Sequence, residues 1–124
     1  MGTNYYMINK KVRETIDTEY STDNNMEDLN KIMFDTNKIH LGKSSGGWKM
    51  LLRSNPFIAD CFKAWKYILG SGKYEIYNEY DEEIPVDNFI ELVEQKQQLK
   101  SHVGIGLDVY VDDEGYEFHS EEFC

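Results

Sequence analysis

Ile39-His40-Leu41-Gly42-Lys43-Ser44-Ser45-Gly46-Gly47-Trp48 sets Gly-Lys-Ser, the end of a phosphate-cradling loop, ahead of a second pair of glycines. A phosphate loop requires Gly-x-x-x-x-Gly-Lys-Ser placed after a buried strand and opening a helix. The first glycine position is occupied by Asn37, and the spacer is Lys38-Ile39-His40-Leu41, half of it strand-forming. Lys43 is followed by Ser-Ser-Gly-Gly-Trp, which starts no helix, so the pattern argues against ATP hydrolysis. Ile39 and Leu41 alternate with polar neighbours as a half-buried strand does, and residues 48–52 form a second apolar run. Gly46 and Gly47 supply the positive φ of a turn. The stretch therefore predicts a β-hairpin.

Downstream, Asn55-Pro56 breaks the chain. In residues 57–69 the side chains Ile58, Cys61, Phe62, Trp65, Ile68 and Leu69 share one stripe, predicting a helix ended by Gly70 and Gly72. Tyr74 and Ile76, with Asn78 and Tyr80, predict a strand closed by the acidic turn Asp81-Glu82-Glu83. Pro85 suits the first turn of a further helix with Phe89, Ile90 and Val93 on its inner face, widened by Leu92 and Leu99. After a loop at Gly104 and Gly106, residues 107–111 and 116–118 flank Asp112-Asp113-Glu114-Gly115, a hairpin signal. Upstream, residues 3–9 predict an opening strand. Residues 10–24 read as a surface loop or weak hairpin, and a short helix from Asp23 to Asn25 onward carries Met26, Leu29, Ile32 and Met33. Residues 10–37 thus form a variable loop or short-helix insertion. The expected architecture is one α+β domain over residues 1–124. It has a mostly antiparallel sheet of five or six short strands and two or three helices, the two strong ones on one face.

The 124 residues suffice for one ordinary core. No run of 18 apolar residues occurs. Residues 1–11 lack the apolar segment of a signal peptide, which predicts a cytosolic protein. Cys61, within an apolar helical pattern and expected to be buried, and Cys124 at the end form no disulfide framework. The net charge of −10 is unevenly spread: residues 1–71 sum to +2 and residues 72–124 to −12. Such a C-terminal half would repel nucleic acid, whose phosphates attract Lys and Arg.

Candidate chemistry is sparse. His40, Lys43, Ser44, Ser45 and Trp48 make a possible anion or nucleotide site. In it the turn's N–H groups form a nest, Lys43 adds charge, and His40 and Trp48 flank a base. The alternative is a plain hairpin turn with Trp48 in the core. His40, His102 and His119 meet no partner at metal-ligand spacing, and Asp112-Asp113-Glu114-Gly115 lacks the spacing of a calcium loop. No nucleophile elbow appears. The expectation is a binder, not an enzyme, with no cofactor and no metal.

The acidic half offers a more concrete surface. Glu79, Tyr80, Asp81, Glu82, Glu83, Asp112, Asp113, Glu114 and Tyr116 are the expected partner-binding residues. Carboxylates at strand and helix spacing imitate a phosphate array, and tyrosines are favoured at interfaces. The competing reading is a solvated face with tyrosines in the core.

Three segments carry a resemblance: Met1-Gly2-Thr3-Asn4-Tyr5-Tyr6, residues 39–48, and Glu114-Gly115-Tyr116-Glu117-Phe118, with Trp65-Lys66 and Glu79-Tyr80 between them. Together they resemble a family of small bacteriophage proteins without an agreed activity. The Cys-x-x-Cys pair that members often carry before the His-x-Gly-Lys loop has no counterpart in residues 10–37, so no metal role is implied. The resemblance implies a viral origin. By class it implies an inhibitor of a host nucleic-acid-acting defence protein, such as a CRISPR effector nuclease, working in the host cytoplasm through the acidic surface. The alternative is sequestration of a nucleotide or cyclic-nucleotide signal by the loop from His40 to Trp48.

Overall fold

The computed structural model of the chain describes residues 2–20, 27–55, 58–103 and 108–119. Within them lie β1 (Gly2–Asn9), α1 (Lys10–Glu19), α2 (Glu27–Asn37), β2 (Ile39–Ser45), β3 (Leu51–Arg53), α3 (Phe62–Gly70), β4 (Tyr74–Asn78), β5 (Glu83–Ile84), α4 (Val86–Gln95), β6 (Val109–Val111) and β7 (Glu117–His119). The class is α+β. The strands form one seven-stranded sheet in the order β5-β4-β1-β2-β3-β7-β6. All neighbours pair antiparallel except β3 and β7, which are parallel. The expected five or six strands become seven because Glu83-Ile84 adds a short edge beside β4.

The two strong helices, α3 and α4, share one face of the sheet as expected, and α1 and α2 cover the other. Successive strand residues point to opposite sides, and Met7 and Ile8 enter two different clusters. Met7, Leu41, Leu52, Ile76 and Phe118 meet Phe62, Trp65 and Leu69 of α3 and Phe89 and Val93 of α4. Burying each of those large side chains contributes about 1.5–3 kcal/mol before ordering entropy. On the second face Ile8 meets Ile16 of α1 and Phe34 of α2.

Helix α1 replaces the loop or weak hairpin expected over residues 10–24. Ile16 is its one buried side chain, so no apolar stripe announces it. Local bonds specify it instead. The Asn9 side chain accepts from Lys11 N (2.9 Å) and Val12 N (3.4 Å), capping the start. The Arg13 guanidinium lies 4.5 Å from the Phe34 ring centre. The expected start of α2 at residues 23–26 lies outside the described residues, as do Pro56, the Gly104 and Gly106 loop, and Cys124.

Helix α3 begins at Phe62, later than the expected residue 57, because Asn55 and Ala59 form a β-bridge just before it. Cys61 is therefore the residue ahead of the helix and is only half-buried, correcting the expectation of a buried helical cysteine. Asp112 Oδ2 accepts from Phe62 N at 2.8 Å and caps α3 from across the fold. Pro85 precedes α4 as its cap residue instead of lying in its first turn.

The opening stretch forms the β2–β3 hairpin, but Gly42-Lys43-Ser44 is strand, not turn. Gly42 pairs with Tyr5 on one side and Leu52 on the other. A Cβ there would stand 2.6 Å from the Leu51 carbonyl oxygen, so close strand packing demands this glycine. A bulge at Leu41 shifts the register so that His40 lies opposite Tyr6.

Candidate functional site

Strand directions gather the turns. With this pairing, β1, β3, β5 and β7 run one way and β2, β4 and β6 the other. The β4–β5, β2–β3 and β6–β7 connections consequently share one end of the sheet. They form a rim bearing every expected site residue except His40.

The first rim turn is organised by Asn78. Its Oδ1 accepts from Tyr80 N (2.9 Å) and Glu82 N (3.0 Å), and its Nδ2 donates to Glu82 Oε1 (2.8 Å). Asp81 takes the left-handed conformation at φ 61°, which short polar side chains tolerate. Several carboxylates here have internal duties. Glu79 Oε1 accepts from Asn4 N at 2.7 Å, and Asp81 Oδ2 pairs with Lys31 Nζ at 2.6 Å. Tyr80 projects outward, 69% exposed.

The central turn is tied down by lysine. Lys96 Nζ donates to Ser44 Oγ (2.7 Å) and to the Ser45 carbonyl (2.9 Å), and desolvation lowers its pKa from the ordinary value. Lys49 N donates to the Lys100 carbonyl and Lys100 N to the Gly47 carbonyl. Trp48 is half-buried, outside the core, and stacks on His102 with ring centres 5.0 Å apart; Lys100 Nζ lies 4.7 Å from its ring centre. His40, at the other end of β2, is buried against Tyr6 at 5.1 Å and bonds Asn4 Oδ1 through Nε2 at 3.0 Å. His40 and Trp48 thus flank no common space. Lys43 and Ser44 lie in a strand paired on both sides, so the expected nest is not assembled around them.

The third rim turn is built on Asp112, whose Oδ1 accepts from Glu114 N (3.0 Å) and Tyr116 N (2.9 Å). Asp113 and Glu114 are exposed. Tyr116 packs on Phe62 at 4.3 Å, and desolvation foremost, with nearby carboxylates, raises its pKa. Gln97 Nε2 donates to the Gly115 carbonyl at 3.0 Å, linking this turn to the central one.

The two acidic turns stand toward opposite edges of the sheet, about 24 Å apart by strand spacing. Sheet twist turns them further from a common plane. They do not make one surface. Carboxylates concentrate instead in residues 74–95, which contain eight Asp/Glu and no Lys or Arg, although Lys31 of α2 and Lys66 of α3 reach Asp81 and Glu94. Seven of the eight, Glu79, Asp81, Glu82, Glu83, Asp87, Glu91 and Glu94, are exposed along the β4–β5 turn, β5 and α4. Of the tyrosines interleaved with acids, Tyr80 alone is exposed; Tyr74, Tyr77, Tyr110 and Tyr116 are half-buried. Tyr67 on α3, 83% exposed, was not singled out by sequence.

Sequence also missed a buried constellation. Glu117 is 2% exposed and accepts from His102 Nδ1 (2.9 Å), His102 N (2.8 Å) and Ser101 Oγ. Burial raises its pKa, but these bonds outweigh burial and hold it below the ordinary carboxylate range. Its alternation on β7 marked a face but not a partner fifteen residues upstream. Among the described residues no three His, Cys, Asp or Glu side chains cluster as metal ligands, and no helix is long and apolar enough to cross a membrane.

No family model, curated protein or solved structure matches the chain.

Proposed function

We propose that the chain is a non-enzymatic bacteriophage accessory protein. It inhibits a host nucleic-acid-acting defence protein, such as a CRISPR effector nuclease, in the host cytoplasm. Its acidic edge enters the cationic channel that otherwise holds nucleic acid. The observation that supports this reading is the stretch from Tyr74 to Gln95, which itself contains no Lys or Arg and carries seven exposed carboxylates, two of them met by Lys31 and Lys66, beside the projecting Tyr80. Complementary charge of this kind accelerates encounter and competes with phosphate. A desolvated tyrosine supplies the short-range anchor. Asp112, Asp113 and Glu114, at the far edge, stand outside the contact, which narrows the surface expected from sequence to Glu79, Tyr80, Asp81, Glu82 and Glu83 together with α4.

The test is association kinetics against a purified effector nuclease, with inhibition of its cleavage read in parallel. Glu83→Lys with Asp87→Lys should slow association at least tenfold at low salt, while Asp113→Lys with Glu114→Lys should change it little. Equal rates for all three proteins would remove the acidic-edge reading.

A further inference from the structure

The sheet ends at β5 on one side and at β6 on the other. Hydrogen bonds around the last turn fix which backbone groups of β6 face outward. Asp112 N donates to the Tyr116 carbonyl at 2.9 Å, so residues 112 and 116 are a bonded pair. Bonded and non-bonded pairs alternate along an antiparallel ladder, which makes Tyr110 and Phe118 the next bonded pair. The bond from Ser54 N to the His119 carbonyl agrees, because it turns residue 119 toward β3 and residue 118 toward β6. The N–H and C=O groups of Val109 and Val111 therefore point away from β7, and none of them has a hydrogen-bond partner among the described residues. The Val111 side chain is 48% exposed beside them. At the other edge β5 is only two residues long, Glu83 alone faces outward, and Pro85, which has no N–H, follows. Of the two edges, β6 is the one able to template a further strand.

Side chains along β6 alternate between the two faces. Tyr110 points toward the start of α3, where its hydroxyl donates to the Asp60 carbonyl at 2.6 Å. Alongside lies a hollow of about 780 Å³ whose charged lining is Asp60, Asp112, Asp113 and Glu114 against Lys63 and Lys66. Lys66 already meets Glu94 at 3.8 Å. Asp112 is bonded to backbone N–H groups, which are neutral and leave its charge uncancelled. The hollow thus keeps an excess of negative charge beside the outward backbone of β6.

We propose that β6 receives an extended, basic segment of a partner protein as an added antiparallel strand. Main-chain hydrogen bonds to Val109 and Val111 supply affinity, and alternate side chains supply specificity. Residues directly opposite each other in neighbouring strands share a face. The segment's residue opposite Tyr110 is therefore Lys or Arg, reaching the carboxylates of the hollow, and its neighbours are apolar, meeting Val109 and Val111. A second copy of this chain is the poorer occupant, since β6 against β6 brings two excesses of carboxylate together. The surface lies across the sheet from residues 74–95 and does not depend on the function proposed for them.

Fluorescence anisotropy of a labelled, end-blocked Val-Arg-Val-Arg-Val-Arg peptide with the full chain tests this, with circular dichroism as the folding control. The peptide should bind, and the same peptide with Glu for Arg should bind at least tenfold more weakly. N-methylation of the valine amides, which face β6 in this arrangement, should abolish binding, whereas N-methylation of the arginine amides preserves it. Asp113→Lys with Glu114→Lys should weaken binding at least tenfold, while Glu83→Lys with Asp87→Lys leaves it within twofold. No binding at millimolar peptide overturns the proposal, as does equal binding of the Glu peptide or of the valine-methylated one. Sedimentation velocity of the chain alone supplies the remaining outcome: a dimer that the peptide dissolves assigns the edge to a second copy and overturns the proposal, and a monomer supports it.

Discussion

His102 Nδ1 stands 2.9 Å from Glu117 Oε1, and the same carboxylate oxygen takes the His102 backbone N–H. One buried side chain on β7 thereby anchors the segment that follows α4, and through His102 it supports Trp48 at the rim. Because the ionised carboxylate only accepts, Nδ1 carries the proton of this bond. Glu117→Gln retains shape but loses charge and some acceptor capacity. It should cost about 1–3 kcal/mol in urea unfolding.

The same group sets a pH dependence. Its pKa is lower folded than the ordinary value of 4.5, so its contribution is full above about that pH and is lost as pH falls through the folded value. The stability curve of Glu117→Gln should be flatter than that of the wild type across this acid limb. Parallel curves below pH 5 would contradict the assignment.

Gly42→Ala tests the meaning of Gly-Lys-Ser. A Cβ at 42 meets the Leu51 carbonyl, whereas one at Gly46 meets nothing within 4 Å. Gly42→Ala should destabilise by about 1–3 kcal/mol through overpacking. Gly46→Ala should change stability by less than about 0.5 kcal/mol. Thermal unfolding of the pair reads the difference.

Asp112 and Asp113 are neighbours with different duties. Asp112→Ala removes the cap on Phe62 N and two turn bonds, and should lower stability by about 1–2 kcal/mol. Asp113→Ala, on an exposed side chain, should leave the unfolding midpoint nearly unchanged.

Lys31 bridges Asp35 and Asp81, joining α2 to the acidic turn. A double-mutant cycle on Lys31 and Asp81 should give a coupling of about 0.2–1 kcal/mol that declines with salt, as exposed pairs do. A larger, salt-insensitive coupling would mean the pair is shielded from solvent.

The α+β class, the β2–β3 hairpin, α4 and the final hairpin were legible because each writes its own period: alternation for strands, three-and-four spacing for helices. Helix α1 was not, since a helix held by one cap and one buried isoleucine carries almost no apolar signal. The acidic bias was visible as a count. Its division between two sheet edges was not, because strand order joins residues far apart in sequence.

Local patterning along the chain thus accounts for which segments become strands or helices, and for the absence of a phosphate loop at residues 39–48. Long-range pairing accounts for the rest. It set Gly42 between two strands, parted His40 from Trp48, brought Glu117 to His102, and placed β6 at one edge of the sheet. Side-chain periodicity is a property of neighbours in sequence, whereas register and strand order follow from which buried faces complement one another across the whole sheet.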